Sequence, residues 1–159
     1  MRAWATAKSV IEEASGPSFT VRVPSQPWAS RTVRELVIAF AERFGAGAED
    51  LAILATALGE AVANAIEHSG TSEPIEVTCC ASDERIIATV RDFGTGINPA
   101  TASREIPAAH CERGRGMPIM RSCSDFFSIE SEPGAGTSVV VGRYLRRTPG
   151  AAPRTGTGG

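Results

Sequence analysis

The apolar positions along the chain predict two helices in its first half. Large apolar residues recur at helical spacing between residues 33 and 44, and Gly45 then marks a helix end. Residues 49–68 carry the clearest helical pattern, because their apolar side chains form one continuous face. That face contains Leu51, Leu54, Leu58, Ala61, Val62, Ala65 and Ile66.

Polar residues near the start of each segment predict where the two helices begin. Ser25 can cap the first helix, and Pro27 suits its first turn, where a backbone N–H is not needed. Glu49 and Asp50 suit the positive end of the dipole of the second helix. The first helix is therefore expected to start directly after Ser25.

Alternating and apolar runs predict strands in other parts of the chain. Residues 19–23 form the first such run. Residues 75–80 and 85–91 are predicted to pair as one hairpin, and residues 126–130 and 137–145 as a second. Because helices and antiparallel hairpins occur in separate runs, the pattern predicts an α+β fold, a two-layer sandwich with helices on one face of one sheet.

The length and composition are those of a single soluble domain. The chain has 159 residues, of which 42% are hydrophobic and 21% charged. Residues 17–147 are predicted to form this domain, while the weakly patterned residues 1–16 are expected to be a loose leader or a short helix. Residues 148–159 contain mainly Gly, Pro, Ala and Thr without pattern, and are expected to be disordered.

Charge and cysteine usage exclude several kinds of partner and site. The net charge of −2 argues against nucleic-acid binding through a broad basic surface. Cys79, Cys80, Cys111 and Cys123 lack CxxC spacing, which argues against a zinc site and a disulfide framework. No stretch reaches the ~18 apolar residues of a membrane span. We therefore expect a cytoplasmic protein without direct nucleic-acid or membrane contacts.

Rare residue types make their positions informative. Lys8 is the only lysine among 16 Lys and Arg residues, so a phosphate-binding GxxxxGK[ST] loop is excluded. Its position also argues against Ser-x-x-Lys hydrolases and lysine Schiff-base enzymes. Asparagine occurs only as Asn64 and Asn98, and aspartate only four times.

The second helix carries a polar stripe opposite its apolar face. The stripe contains Glu60, Asn64, Glu67 and His68. A solvated helix face is one interpretation. The other is a functional pair, since Asn is a poor helix former whose amide oxygen suits Mg²⁺, and a carboxylate one turn away can accept a proton from a hydroxyl.

One glycine-containing segment directly follows a predicted strand. Asp92, Gly94 and Gly96 come directly after a strand, where a buried carboxylate can accept a hydrogen bond from an exocyclic amine. An ordinary Asp-Gly turn is the alternative. Asp92-Phe93-Gly94 also occurs in eukaryotic-type protein kinases, but the glycine-rich loop, strand lysine and HRD loop of those enzymes are missing.

A further glycine pair precedes a predicted helix at residues 117–123. Gly114 and Gly116 can expose backbone N–H groups to an anion, Arg113 and Arg115 add positive charge, and Pro118 suits the first helical position. A glycine-rich connector with solvated arginines is the alternative. The segment Gly134-Ala135-Gly136-Thr137 by itself predicts a hairpin turn.

Taken in order, these four segments resemble the N, G1, G2 and G3 boxes of the GHKL (Bergerat-fold) ATPase superfamily. Within it, the chain is similar to the small anti-sigma-factor serine kinases over residues 19–145, and especially over residues 59–68. The resemblance implies a mixed, mostly antiparallel sheet and an ATP site with Mg²⁺. It implies a lid at residues 98–112.

The resemblance also implies individual roles. Glu60 would be the general base, Asn64 would coordinate Mg²⁺, Asp92 would hold the adenine amino group with support from Thr137, and His68 would be structural. Either Arg113 or Arg115 would neutralise charge on the γ-phosphate. The nucleotide-binding residues implied are Asn64, Asp92, Gly94, Gly96, Arg113, Gly114, Arg115, Gly116, Met117 and Thr137.

The function implied is an ATP-dependent serine kinase. It would phosphorylate a serine of an anti-anti-sigma (STAS-domain) partner, would otherwise sequester a sigma factor, and would have the capacity to form a homodimer. The alternative is a non-catalytic ATP-binding regulatory module that acts by sequestration only; the intact Glu60 favours the enzyme. The catalytic domain of a sensor histidine kinase is less favoured, since the chain has no room for its phospho-accepting helix.

Overall fold

The computed structural model describes residues 16–96 and 116–146, which form three helices and five strands. The predicted lid (98–112), the predicted tail (148–159) and, except for Gly16, the predicted leader (1–16) lie outside the described residues. The strands are β1 (Ser18–Val23), β2 (Ile75–Ala81), β3 (Arg85–Asp92), β4 (Phe126–Glu132) and β5 (Gly136–Tyr144). The helices are α1 (Ala29–Glu42), α2 (Ala48–His68) and α3 (Gly116–Ser122).

The five strands form one sheet in the order β1-β2-β3-β5-β4, and every described pair is antiparallel. Both predicted hairpins are present, as β2–β3 and β4–β5. The second hairpin joins the first through β5, which pairs with β3 over the whole length of β3. The three helices pack against one face of the sheet, so the predicted two-layer α+β fold is confirmed.

The core lies between α2 and the centre of the sheet. Six of the seven residues in the predicted apolar face of α2 are buried, and Ile66 is half-buried. They meet alternate residues of the central strands, among them Val77, Ala88, Val90 and Val141. None of the helices within residues 16–96 and 116–146 combines the length and apolarity needed to cross a membrane.

The start of α1 differs from the prediction. The helix begins at Ala29, three residues later than a Ser25 cap requires, and no side chain caps its first turn. Two tight turns occupy the intervening residues, since Gln26 N–H donates to Pro24 O (2.8 Å) and Ala29 N–H donates to Gln26 O (2.9 Å). The chain uses these residues to leave β1 before the helix can start.

Helix α3 also begins earlier than its proline indicated. It starts at Gly116, so Pro118 is the third helical residue and not the first. The N–H groups in the first turn of a helix have no acceptor within the helix. A proline at this position therefore costs the helix no hydrogen bond.

A buried ion pair connects the start of α2 to β5. The Arg143 guanidinium donates to Asp50 Oδ1 from Nη2 at 2.9 Å and from Nε at 3.3 Å, and the two side chains are 9% and 6% exposed. Arg146 N–H donates to Asp50 Oδ2 (3.2 Å), and Arg143 Nη1 donates to Cys123 O (3.4 Å), next to the end of α3. The pair therefore joins α2, α3 and β5.

We expect Asp50→Asn to lower the free energy of unfolding by about 3 kcal/mol, because Arg143 would keep its buried charge without a compensating carboxylate. Urea unfolding followed by circular dichroism measures this change. The matched control is Glu35→Gln, which removes the same charge from the exposed Arg31–Glu35 pair on α1 and should leave the unfolding midpoint unchanged. Equal effects of the two substitutions would contradict the assignment.

Candidate functional site

The polar stripe of α2 divides into an inner and an outer pair. Glu60 and Asn64 are half-buried, whereas Glu67 and His68 are exposed at the end of the helix. His68 Nε2 lies 3.7 Å from Glu67 Oε2. The predicted separation of the stripe from the apolar face is confirmed, and the inner pair is the part that faces another element.

Glu60 and Asn64 face the start of helix α3, at Gly116. A methyl group at Gly116 would lie 3.1 Å from Glu60 Oε2, 3.3 Å from Asn64 Oδ1 and 3.5 Å from Asn64 Nδ2. The backbone of α3 therefore lies directly against the carboxylate and the amide, and both polar groups converge on one point. Residues 52 positions apart in the sequence form this cluster, and Met117 follows it as an exposed side chain.

The second cluster lies where β3 ends. Asp92 is 7% exposed and is the last residue of the strand. Its Oδ1 accepts a hydrogen bond from Gly94 N–H at 2.9 Å. Among the described residues, no donor is found for Oδ2. A buried carboxylate with one free oxygen can accept a hydrogen bond from a ligand.

Thr137 lies directly opposite Asp92 on β5, on the helix-covered face of the sheet. Its hydroxyl is 2.8 Å from Ser131 Oγ on β4. Ser131 was not identified from the sequence, because its place beside Thr137 depends on the register of the β4–β5 hairpin.

The segment after β3 is held between α2 and the second hairpin. Thr95 N–H donates to Ser69 O (3.0 Å), and Gly134 N–H donates to Thr95 O (2.8 Å). Gly94 lies against the backbone of Ser69, where a side chain would overlap its carbonyl group. Ser69 is 2% exposed, and its role was missed because a serine after a helix indicates only that the helix ends.

The end of α2 therefore connects the two clusters. Glu60 and Ser69 are nine residues apart on one helix and its C-cap, which places them about 14 Å apart along its axis. The structure brings Glu60, Asn64 and Gly116 together beside the middle of α2. It brings Asp92, Gly94, Gly96 and Thr137 together near its end.

Arg113, Gly114 and Arg115, the remaining predicted phosphate-site residues, lie outside the described residues, as does the predicted lid. Within the described ranges, no group of three His, Cys, Asp or Glu residues is placed to hold a metal ion.

Comparison with known proteins identifies the family of this chain. A family profile described as "Histidine kinase-like ATPase domain" matches residues 23–142. The chain belongs to this family. The matched range contains α1–α3, β2–β4, most of β5 and all the predicted site residues.

Relatives of this chain in the family are anti-sigma factors. The anti-sigma F factor of Oceanobacillus iheyensis is 30% identical over 122 residues, which cover 72% of this chain and 84% of the relative. The anti-sigma F factor of Caldanaerobacter subterraneus is 32% identical over 120 residues, with the same coverage. The chain is thus placed in the anti-sigma-factor group of the histidine kinase-like ATPases.

A solved structure supports the fold. The crystal structure of the RsbU and RsbW domains of Rv1364c from Mycobacterium tuberculosis matches with a TM-score of 0.63 at 22% identity. The match covers 82% of this chain and 33% of that chain, so the present chain spans about a third of that protein. The likeness confirms the fold.

Gly136 packs against the backbone of Asp92. Gly136 has φ +93°, and a side chain there would overlap Asp92 O; Gly134 has φ +79° and open space around it. Both alanine substitutions cost about 1 kcal/mol for the left-handed backbone. We expect Gly136→Ala to cost at least about 2 kcal/mol more, because β3 and β5 must separate.

Denaturant unfolding of the two variants gives the difference directly, with Gly134→Ala as the control for backbone strain. The close approach of β5 to Asp92 is refuted if both variants lose the same stability.

Proposed function

We propose that this chain is an ATP-dependent serine kinase that phosphorylates an anti-anti-sigma partner of the STAS class and otherwise sequesters a sigma factor. The observation that carries the proposal is that the Glu60 and Asn64 side chains both lie against Gly116. The buried Asp92 carboxylate lies near the C-terminal end of the helix that carries them. Membership of the anti-sigma-factor group supports the choice of partners.

Asp92 would recognise the base of the nucleotide. Its Oδ1 is held by Gly94 N–H, so the carboxylate is oriented before any ligand arrives. The second oxygen would accept a hydrogen bond from the exocyclic amino group of adenine. Thr137 and Ser131 would add hydroxyl groups on the same side of the sheet. A base that has a carbonyl group at this position would be disfavoured, since two acceptors would meet.

Asn64 would hold Mg²⁺ near the phosphates. An amide oxygen is a hard ligand that suits this ion, and Mg²⁺ commonly keeps phosphate oxygens and water as its other ligands. The absence of a side chain at Gly116 lets the backbone at the start of α3 lie close to Asn64 and Glu60. Gly114 and Gly116 would contribute backbone N–H groups, and Arg113 or Arg115 would neutralise charge on the γ-phosphate.

Glu60 would act as the general base. Its carboxylate would accept the proton of a serine hydroxyl on the partner while the serine oxygen forms a bond to the γ-phosphorus of ATP. The bond from that phosphorus to the β–γ bridging oxygen breaks, and ADP leaves with the electron pair. Glu60 is half-buried, and its Oε2 lies beside Gly116.

We expect Glu60→Gln to reduce phosphate transfer about 100-fold or more, because glutamine cannot accept the proton, while ATP affinity stays within about threefold. Transfer is measured with labelled ATP, Mg²⁺ and the cognate STAS protein, and the product is identified as phosphoserine. Glu67→Gln is the matched control, since it removes the same charge on an exposed site of α2.

Several outcomes would count against the kinase. If the wild-type chain binds ATP and its partner but forms no phosphoserine, it acts by sequestration alone. A phosphohistidine product would instead identify a histidine kinase module.

We expect Asp92→Ala to weaken ATP binding at least about tenfold, because a charge-assisted hydrogen bond to the base is lost. Isothermal titration calorimetry with ATP and GTP measures the affinity and the selectivity. Asp83→Ala is the control, because Asp83 is an exposed residue of the β2–β3 turn at the opposite end of β3. Unchanged ATP affinity in a folded Asp92→Ala variant would show that the base binds elsewhere.

A further inference from the structure

Phe93 follows Asp92 directly, but its ring lies on the other side of the sheet. Strand alternation places Asp92 on the helix-covered face, with Val90, and Arg91 on the opposite face. The guanidinium carbon of Arg91 lies over the Phe93 ring, 4.8 Å from its centroid, so the ring is on the side of Arg91. It therefore does not stack on a base that the Asp92 carboxylate binds.

A second arginine lies over the same ring. The guanidinium carbon of Arg22 is 5.4 Å from the Phe93 centroid. Arg22 on β1, Glu76 on β2 and Arg91 on β3 lie opposite one another in the strand register. Arg22 is held in place, because its Nε and Nη2 each lie 3.0 Å from Glu76 Oε2. The ring is therefore attached to β1 and β3 through two cation–π contacts, and at exposed sites each such contact contributes a factor of about two to five to an equilibrium constant.

The segment after β3 has few other side chains that could hold its shape. Gly94 and Gly96 have none, and glycine loses more conformational freedom than any other residue when it is ordered. Thr95 is exposed, whereas Phe93 is half-buried. Phe93 thus carries the only large side chain of residues 93–96.

The conformation of Phe93 also sets the orientation of the Asp92 carboxylate. The hydrogen bond from Gly94 N–H to Asp92 Oδ1 (2.9 Å) closes a turn that has Phe93 in its middle. Because φ and ψ of Phe93 determine how close these two atoms come, the bond depends on how this residue is held. If the ring were released, the affinity of Asp92 for a ligand would fall by the fraction of the chains that keep the turn.

We propose that Phe93 is a positioning residue for base recognition, and that Arg22 and Arg91 act on the nucleotide site through its ring. The proposal rests on the proposed function, since it takes Asp92 as the group that binds adenine. Part of the affinity for ATP is then set on the face of the sheet opposite the nucleotide, by side chains that do not touch it.

Isothermal titration calorimetry of the full-length chain with ATP and GTP tests the proposal. We expect Phe93→Ala to weaken ATP binding about tenfold and to lower the preference for ATP over GTP, because both cation–π contacts are lost. Phe93→Tyr keeps the ring and should bind ATP within about twofold of the wild type. The matched control is Phe126→Ala, which removes the ring that lies 5.7 Å from the guanidinium carbon of Arg85, at the opposite end of the strands. This control should leave both affinities unchanged.

A double variant separates positioning from an independent effect. If Phe93 acts only through the carboxylate, Asp92→Ala/Phe93→Ala binds ATP within about twofold of Asp92→Ala alone. A further tenfold loss, on the order of the loss in Phe93→Ala, would show an independent effect and overturn the proposal. A loss in Phe93→Tyr as large as that in Phe93→Ala would also overturn it.

Arg22→Met/Arg91→Met removes both contacts while Phe93 stays in place, and it provides the test if Phe93→Ala does not fold. We expect the preference for ATP over GTP to fall in this variant too. A loss of affinity by the same factor for both nucleotides would reflect only the removal of positive charge, and would contradict the proposal.

The outcomes distinguish this proposal from the proposed function. If Asp92→Ala weakens ATP binding and Phe93→Ala does not, the carboxylate binds the base without help from the ring, and only the positioning role is wrong. If a folded Asp92→Ala variant keeps the ATP affinity of the wild type, the base binds elsewhere, and the role of Asp92 is wrong as well.

Discussion

The burial of the apolar face of α2 on the central strands is the interaction on which the other features depend. Each large side chain in this interface contributes about 2 kcal/mol through removal of apolar surface from water. The interface also sets the position of three sites along one helix. The first turn holds the Asp50–Arg143 pair, the middle presents Glu60 and Asn64, and the end contacts the segment after β3 through Ser69. A shift of α2 on the sheet would move all three.

Close backbone approaches complete the site. The start of α3 lies against Glu60 and Asn64, and β5 lies against the end of β3, in both cases at a glycine. Gly116 lets the helix backbone lie close to two polar side chains, and Gly136 lets β5 lie close to Asp92, where Thr137 pairs with it. The missing side chain has the same use at both positions. Both depend on packing between elements that are distant in the sequence.

Several features of the site could be predicted from particular residues. The period of the apolar residues in α2 placed Glu60 and Asn64 on one stripe, and the end of an apolar run placed Asp92 at a strand terminus. Ser25 and Pro27 predicted the wrong helix start, because local capping preferences do not account for the turns that the chain needs to leave β1. Ser69 and Ser131 could not be found, since their functions arise from a carbonyl group and from a strand register.

The sequence by itself determined which elements form and which chemistry they carry. Helical and strand periods, a carboxylate and an amide one turn apart, and glycine-containing boxes in a fixed order are all local properties of the chain. Only the tertiary structure decided that Gly116 meets Glu60 and Asn64 and that Thr137 faces Asp92. These contacts join residues about 50 positions apart, and their geometry is set by how helices and strands pack, which no local pattern encodes.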